Sequence, residues 1–184
     1  MSTRGTSPQG ISVGRRLREL REVRGLTLSE LARLAGVGKA TLSGLENGTR
    51  DPRLETLYAI ATALGVPMSA LTLDRGAPAA TASPVRGEAV VSTLLEVFEE
   101  PAATYELFTL RILVGVEQVS PAHPVGVTEH LTVFRGRARV GPVDTPLSVG
   151  CGDHVSWAAD TPHVYAAVGA GEVEASLLIR TPRR

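Results

Sequence analysis

The sequence predicts a bundle of four to five α-helices, then a linker, then an all-β domain. Three observations carry this reading. Up to about residue 73 the apolar residues are mostly Leu at helical spacing, with prolines only at Pro8, Pro52 and Pro67. From Ala89 onward they come in short Val-rich runs broken by Gly and Pro, the habit of small β domains. Between them lies DRGAPAATASPVRG, residues 74–87, whose small residues and prolines can bury little. The expected organisation is a disordered segment 1–10, a helical domain 11–73, a linker 74–88 and a β domain 89–184.

Charge divides the same way. The chain of 184 residues has 19 Lys and Arg against 19 Asp and Glu, a formal net charge of zero. Residues 1–75 nevertheless hold eleven basic and seven acidic residues, and the remainder eight and twelve. A composition of 43% apolar and 21% charged residues is globular rather than disordered. The single cysteine, Cys151, excludes an intramolecular disulfide scaffold and the cysteine-rich zinc modules. No run approaches the roughly 18 apolar residues of a membrane span, and MSTRGTSPQG lacks the apolar core of a signal peptide. The expectation is a soluble cytoplasmic protein with no membrane partner.

Val13, Leu17 and Leu20 form one stripe of a first helix, Val13 to Arg24, with Arg15, Arg16, Arg18 and Arg24 around its polar side. Gly25 ends it. Thr27-Leu28-Ser29-Glu30 has capping-box spacing, with Leu26 and Leu31 placed for a hydrophobic staple, and opens a short second helix ending near Ala35. Gly36-Val37-Gly38 makes a tight turn into a third helix, Lys39 to Glu46, which Asn47-Gly48 stops. A fourth helix is expected with Asp51 as its cap and Pro52 at its first position, burying Leu54, Leu57, Ala61 and Leu64. A short helix or turn follows Pro67.

In the β domain the expected strands are Ala89–Phe98, Tyr105–Gly115, Val127–Phe134, Arg137–Gly141, His154–Ala158, His163–Val168 and Val173–Arg180. Seven or more short strands with this spacing suggest a sandwich or a double-sheet jelly roll. Val127, Glu129, Leu131 and Val133 share one face. An acid among three inward apolar neighbours calls for a partner.

Two short helices joined by a Gly-containing turn inside a small bundle form a helix-turn-helix. The segment LTLSELARLAGVGKATLSGLENGTRDPRLETLYAIATALGV resembles the DNA-binding domain of the phage-repressor-like (XRE-type) helix-turn-helix family, and the likeness covers roughly Val13–Leu73. The resemblance implies that Lys39–Glu46 is the recognition helix and that double-stranded DNA is the partner. It places Lys39 and Ala40 at base-facing positions, Lys39 toward guanine and Ala40 toward a thymine methyl. Thr41 and Ser43 carry hydroxyls suited to a base edge or a phosphate, and Asn47 and Arg50 would hold the backbone. Gly44 stands where the family often has a long reading side chain, and Leu28 where it often has a phosphate-clamping Gln. Arg21 and Glu46 match an internal ion pair of the family.

The second resemblance lies in HPVGVTEHLTVFRG, residues 123–136, followed by GDHVSWAADTPHVY, residues 152–165. Together they resemble a cupin, the small jelly-roll barrel, over about Ala89–Ile179. His123, Glu129 and Gly136 fit the first cupin motif in register, with Val125 in place of its second His. Gly152 and His163 fit the second, with Ala158, Asp160 and Ala167 replacing its Pro, Gly and Asn. Metal-binding cupins use three His and the Glu, so the resemblance implies a reduced set of His123, Glu129 and His163. Such a set suits Zn, Fe, Mn or Ni with open positions. The missing ligand weights the reading toward a metal-free effector pocket, with His123, Glu129 and His163 as polar anchors and Val125, Leu131, Trp157 and Tyr165 as walls. His130 has the opposite parity and His154 reads as a surface residue. Cys151 reads as an exposed thiol.

Together the halves resemble transcriptional regulators that join such a DNA-binding domain to a C-terminal cupin sensor. That family resemblance implies a homodimer formed through the cupin domain, a palindromic operator and a small-molecule effector. It assigns no catalytic residues. Two alternatives stay open at this point: a metal-dependent cupin dioxygenase or isomerase fused to a DNA-binding domain, and a non-sensing DNA-binding dimer whose barrel is an empty scaffold.

Overall fold

The computed structural model describes residues 8–73 and 83–183, with side chains in the first helix from Val13 onward. The chain divides into two compact units, residues 1–77 and 78–184. Residues 1–7 of the segment expected to be disordered, and 74–82 of the expected linker, lie outside the described residues.

The first unit holds α1 (Pro8–Val23), α2 (Leu28–Leu34), α3 (Lys39–Glu46), α4 (Leu54–Leu64) and α5 (Ser69–Thr72). Val13, Leu17, Leu31, Leu42, Leu45, Leu57, Ile60 and Leu71 form its buried centre. α1 begins five residues before the apolar stripe starts, because the stripe marks the packed face and not the helix end. The capping box of α2 forms in full. Thr27 Oγ1 accepts from the Glu30 amide, and the Glu30 carboxylate accepts from the Thr27 amide. Gly36 turns the chain into α3 at φ +64°. α4 departs from expectation. It starts at Leu54 behind Arg53, two residues beyond the expected Pro52, and the Arg53 side chain makes no cap hydrogen bond.

One residue fixes how closely α1 meets α3. A Cβ built on Gly14 would lie 2.1 Å from the Leu45 carbonyl oxygen. Only glycine permits this backbone approach.

The second unit is a cupin barrel of two antiparallel sheets. Its strands are β1 (Val85–Arg86), β2 (Val90–Glu99), β3 (Ala103–Ile112), β4 (Glu117–Ser120), β5 (Thr128–Arg135), β6 (Arg137–Pro142), β7 (Leu147–Gly150), β8 (His154–Ala158), β9 (His163–Ala167) and β10 (Val173–Pro182). One sheet runs β1-β2-β3-β10-β5-β8 and the other β4-β9-β6-β7. Phe108, Ile112, Leu131, Val140, Val173 and Ile179 are among the side chains buried between them.

Three strands were not expected from the sequence. β1 lies within the stretch assigned to the linker, pairing Val85 with Ser92 and Arg86 with Val91. β4 buries Gln118 and Ser120, so its inward face is polar and carries no apolar alternation. Gln118 earns burial by accepting from the amides of Ala89 and Val90, both at 3.1 Å. β7 buries Val149 alone at the edge of its sheet.

Candidate functional site

In the first unit the candidate surface is α3. Lys39 and Ala40 are exposed at its start, Thr41, Ser43 and Gly44 are half-buried along it, and Asn47 and Arg50 are exposed just beyond it. Leu42 and Leu45 face inward and anchor the helix. Behind it, Arg21 of α1 reaches Glu46 with Nε–Oε1 at 2.7 Å and Nη2–Oε2 at 2.9 Å. The pair is buried, and the Glu46 carboxylate raises the Arg21 pKa against the opposing effect of burial. Arg18 adds a contact to the same carboxylate at 3.3 Å.

The end of α3 is a Schellman motif. The Gly48 amide, at φ +65°, donates to the Leu45 carbonyl and the Thr49 amide to the Gly44 carbonyl. The chain thereby returns over α3, and the Arg50 side chain lies against Gly44. A Cβ on Gly44 would stand 2.9 Å from Arg50 Cδ and 3.0 Å from its Cγ. Arg50 Nη1 donates to Thr41 Oγ1 at 3.2 Å. Ser43 Oγ accepts from Asn47 Nδ2 at 3.4 Å.

In the second unit His123, Glu129 and His163 converge, their ligand-type atoms all within 4.8 Å of one another. They come from different parts of the barrel. Glu129 lies on β5, paired across with Trp157 of β8 and Ile179 of β10. His163 opens β9 in the opposite sheet. His123 sits between β4 and β5, where its amide donates to the Ala159 carbonyl at 2.8 Å. The cluster therefore spans the barrel interior.

Glu129 is buried but well partnered. His123 Nε2 lies 3.0 Å from its Oε1, and Tyr165 donates its hydroxyl to Oε2. Burial pushes the Glu129 carboxyl up, yet the charge of His163 and the hydrogen bond of His123 outweigh it and hold the carboxyl well below the usual range. The Glu129 carboxylate likewise outweighs burial at His163, whose pKa is raised.

His163 carries the strongest chemical signal. Its Nδ1 is 3.0 Å from the Thr161 carbonyl, an acceptor only, so Nδ1 bears a proton. In the neutral ring Nε2 is then a bare lone pair, 3.4 Å from Glu129 Oε1 and buried without hydrogen-bond geometry to any described partner. Two acceptors facing each other need a cation between them, a proton or a metal ion. A carbonyl fixing one ring nitrogen while the other turns to a donor cluster is how ligating histidines are held. The donor set fits a divalent metal at His123, Glu129 and His163.

The expected pocket walls separate into two groups. Leu131, Trp157 and Tyr165 are buried, with Trp157 and Tyr165 ring centroids 6.4 and 5.7 Å from that of His163. Val125 is not on the wall. It is 77% exposed, because the turn closed by the Val127 amide on the Pro124 carbonyl lifts it outward. His130 and His154 stack on each other with centroids 5.9 Å apart, away from the cluster's chain of contacts. Cys151 is exposed and free.

Sequence reasoning missed Gly14, whose place in an Arg-rich helix carries no periodic signal, and the Gly44–Arg50 contact. The pairing of Gly44 with a residue returning after Asn47-Gly48 was the available clue. It also named Tyr165 only as a wall, where the structure makes it a direct partner of Glu129.

Comparison with known proteins agrees with this architecture. Residues 17–71 match the helix-turn-helix family model HTH_3. The chain is 33% identical over 168 residues to the HTH-type transcriptional regulator SutR of Escherichia coli (strain K12), covering 91% of this chain and 93% of SutR. The crystal structure of an HTH_3 family transcriptional regulator from Vibrio cholerae is similar with a TM-score of 0.81 and 27% identity, covering 95% of this chain and 98% of that one. A cupin_2 domain of an XRE family transcriptional regulator from Enterobacter cloacae is similar at 26% identity and a TM-score of 0.47, over 52% of this chain and 100% of that domain. The chain belongs to the family of HTH-type transcriptional regulators, with an HTH_3 helix-turn-helix domain followed by a two-sheet β domain.

Proposed function

We propose that the protein is a sequence-specific DNA-binding regulator that places α3 in the major groove and senses a small molecule or metal ion in its barrel. The observation that supports the DNA side most is the exposed start of α3, with Lys39 and Ala40 outward while Leu42, Leu45 and the Arg21–Glu46 pair hold the helix from behind. Lys39 offers donors to guanine O6 or N7, Ala40 a methyl contact, and Thr41, Ser43 and Asn47 short polar groups for base edges or phosphates.

A homodimer through the cupin domain doubles this small reading surface and matches a palindromic operator. The His123–Glu129–His163 cluster is the sensory site. His123, Glu129 and His163 are the residues that would hold a divalent ion, which would supply a Lewis-acidic centre there. An effector bound beside it has a waiting donor, because Trp157 Nε1 is buried with no hydrogen-bond partner among the described residues. The regulator relatives favour a sensor over a catalyst.

Fluorescence anisotropy with the full chain tests the DNA reading. A duplex selected from a random pool should bind more tightly than its scrambled version. Equal affinity for both across a salt series contradicts it.

A further inference from the structure

The proposed recognition helix carries glycine at the sixth of its eight residues, and the structure shows what occupies the space. The Schellman motif at Leu45, Gly48 and Thr49 folds residues 49–50 back along α3, with the Thr49 and Arg50 amides both donating to the Gly44 carbonyl at 2.8 and 3.2 Å. The aliphatic stem of Arg50 then crosses the helix over Gly44, where a Cβ would stand 2.9 Å from Cδ, 3.0 Å from Cγ and 3.3 Å from Nε. The guanidinium ends beside Thr41, the third residue of α3, with Nη1 on Thr41 Oγ1 at 3.2 Å. A side chain rooted in the loop is thus laid on the exposed face of the helix.

We infer that Arg50 is a specificity-determining residue that reads a base edge, and that Gly44 is the seat that makes this possible. This rests on the DNA-binding reading above and goes beyond a backbone-holding role for Arg50. The N-terminal residues of a recognition helix are those that face bases, and the guanidinium lies over that half. One of its five N–H groups is engaged by Thr41, which fixes the plane and leaves the others for a planar acceptor pair. Guanine O6 and N7 offer such a pair, and Arg is their commonest partner. The conformational freedom lost on binding is reduced because stem and head are already placed. Phosphate contact needs charge near the backbone but no seat on the helix.

The test uses the full-length protein and a pool of random duplexes of about 20 base pairs. Wild type, Gly44→Ala, Arg50→Ala, Arg50→Lys and the Gly44→Ala, Arg50→Ala double variant are compared on the enriched duplex and on a scrambled one. Arg50→Ala should weaken the enriched duplex about 10- to 100-fold, leave the scrambled one much less affected, and erase the preference for one base pair per half-site. Arg50→Lys should fail to restore that preference, because a point charge lacks the fork. Gly44→Ala should copy Arg50→Ala, and the double variant should be no worse than either. Its thermal midpoint should be unchanged or higher, since alanine is the better helix former and the displaced atoms belong to a flexible side chain.

Equal weakening of enriched and scrambled duplexes by Arg50→Ala, with the salt slope reduced by about one, makes Arg50 a phosphate contact and overturns the inference. An unchanged base preference in Gly44→Ala also overturns it. If wild type enriches no motif, the DNA-binding reading fails and this inference with it.

Discussion

Arg21 and Glu46 bind each other through two atoms apiece, at 2.7 and 2.9 Å, and so tie α1 to the last turn of the recognition helix. Both are buried, while the exposed start of α3 lies seven residues away in sequence. The pair holds the helix without touching the surface proposed to meet DNA. Removing Arg21 leaves the buried Glu46 carboxylate with only the longer Arg18 contact at 3.3 Å, and removing Glu46 leaves Arg21 with Glu22 at 3.6 Å and the Leu26 carbonyl. Arg21→Ala and Glu46→Ala should each destabilise the first unit by about 2–4 kcal/mol, below the full cost of an uncompensated buried charge. Replacing both with Met and Leu should recover much of the loss. Urea unfolding of the full chain, followed by helix signal, measures all three, and a loss below about 1 kcal/mol in the single variants contradicts the assignment.

Gly14 and Gly44 make a matched pair for the same substitution. At Gly14 the obstacle is backbone, the Leu45 carbonyl 2.1 Å from the added carbon, and α1 must move away from α3. Overpacking of this kind costs about 1–3 kcal/mol, more than the roughly 1 kcal/mol gained in helix propensity. Gly14→Ala should therefore lower the urea midpoint while Gly44→Ala does not. The reverse order would show that the α1–α3 approach is not what stabilises the bundle.

The barrel cluster predicts a metal-binding stoichiometry of one per chain. Metal-stripped protein titrated with Zn(II), and separately with Fe(II), should take up about one equivalent by calorimetry and elemental analysis. His163→Ala and Glu129→Gln should weaken uptake by at least about 10- to 100-fold, the range seen when only an outer partner of a ligand is lost. His154→Ala, on the outer stacked pair, should leave it unchanged. Val125→His should not tighten it, since position 125 is exposed in the turn. Uptake that survives His163→Ala would place the metal elsewhere.

Much of this architecture was legible in the residues. Thr27 and Glu30 announced the start of α2, Gly36 its turn and Asn47-Gly48 the end of α3, because caps and turns depend on a few local atoms. Glu129 on an inward apolar face demanded a partner, and His123 and His163 lay at the cupin spacings. What was hidden depends on tertiary contact. β4 hides its register behind polar Gln118 and Ser120, and β1 is only two residues long. Val125 has the parity of His123, yet a turn that breaks the strand period carries it outward. Pro52 reads as a first helical residue, but the chain stays extended through Arg53, whose ψ is 150°.

The sensor reading couples the two ends of the chain. Sedimentation of the full-length protein at micromolar concentration should show a dimer. If a bound metal or effector changes DNA affinity, DNA must change the affinity for that ligand by the same factor. Titrating metal with and without a saturating selected duplex measures this. A dimer with identical metal affinity in both titrations would leave the barrel as a scaffold and contradict its sensory role.

The central claim is that α3 and the loop behind it read DNA sequence. Fluorescence anisotropy of the Lys39→Ala, Arg50→Ala double variant on the selected duplex, with folding checked by circular dichroism, tests it most directly. Each side chain, if it reads a base, contributes about 1–3 kcal/mol, so the folded double variant should lose nearly all preference for the selected over the scrambled duplex. A folded double variant that keeps wild-type affinity and preference would show that DNA is read by another surface.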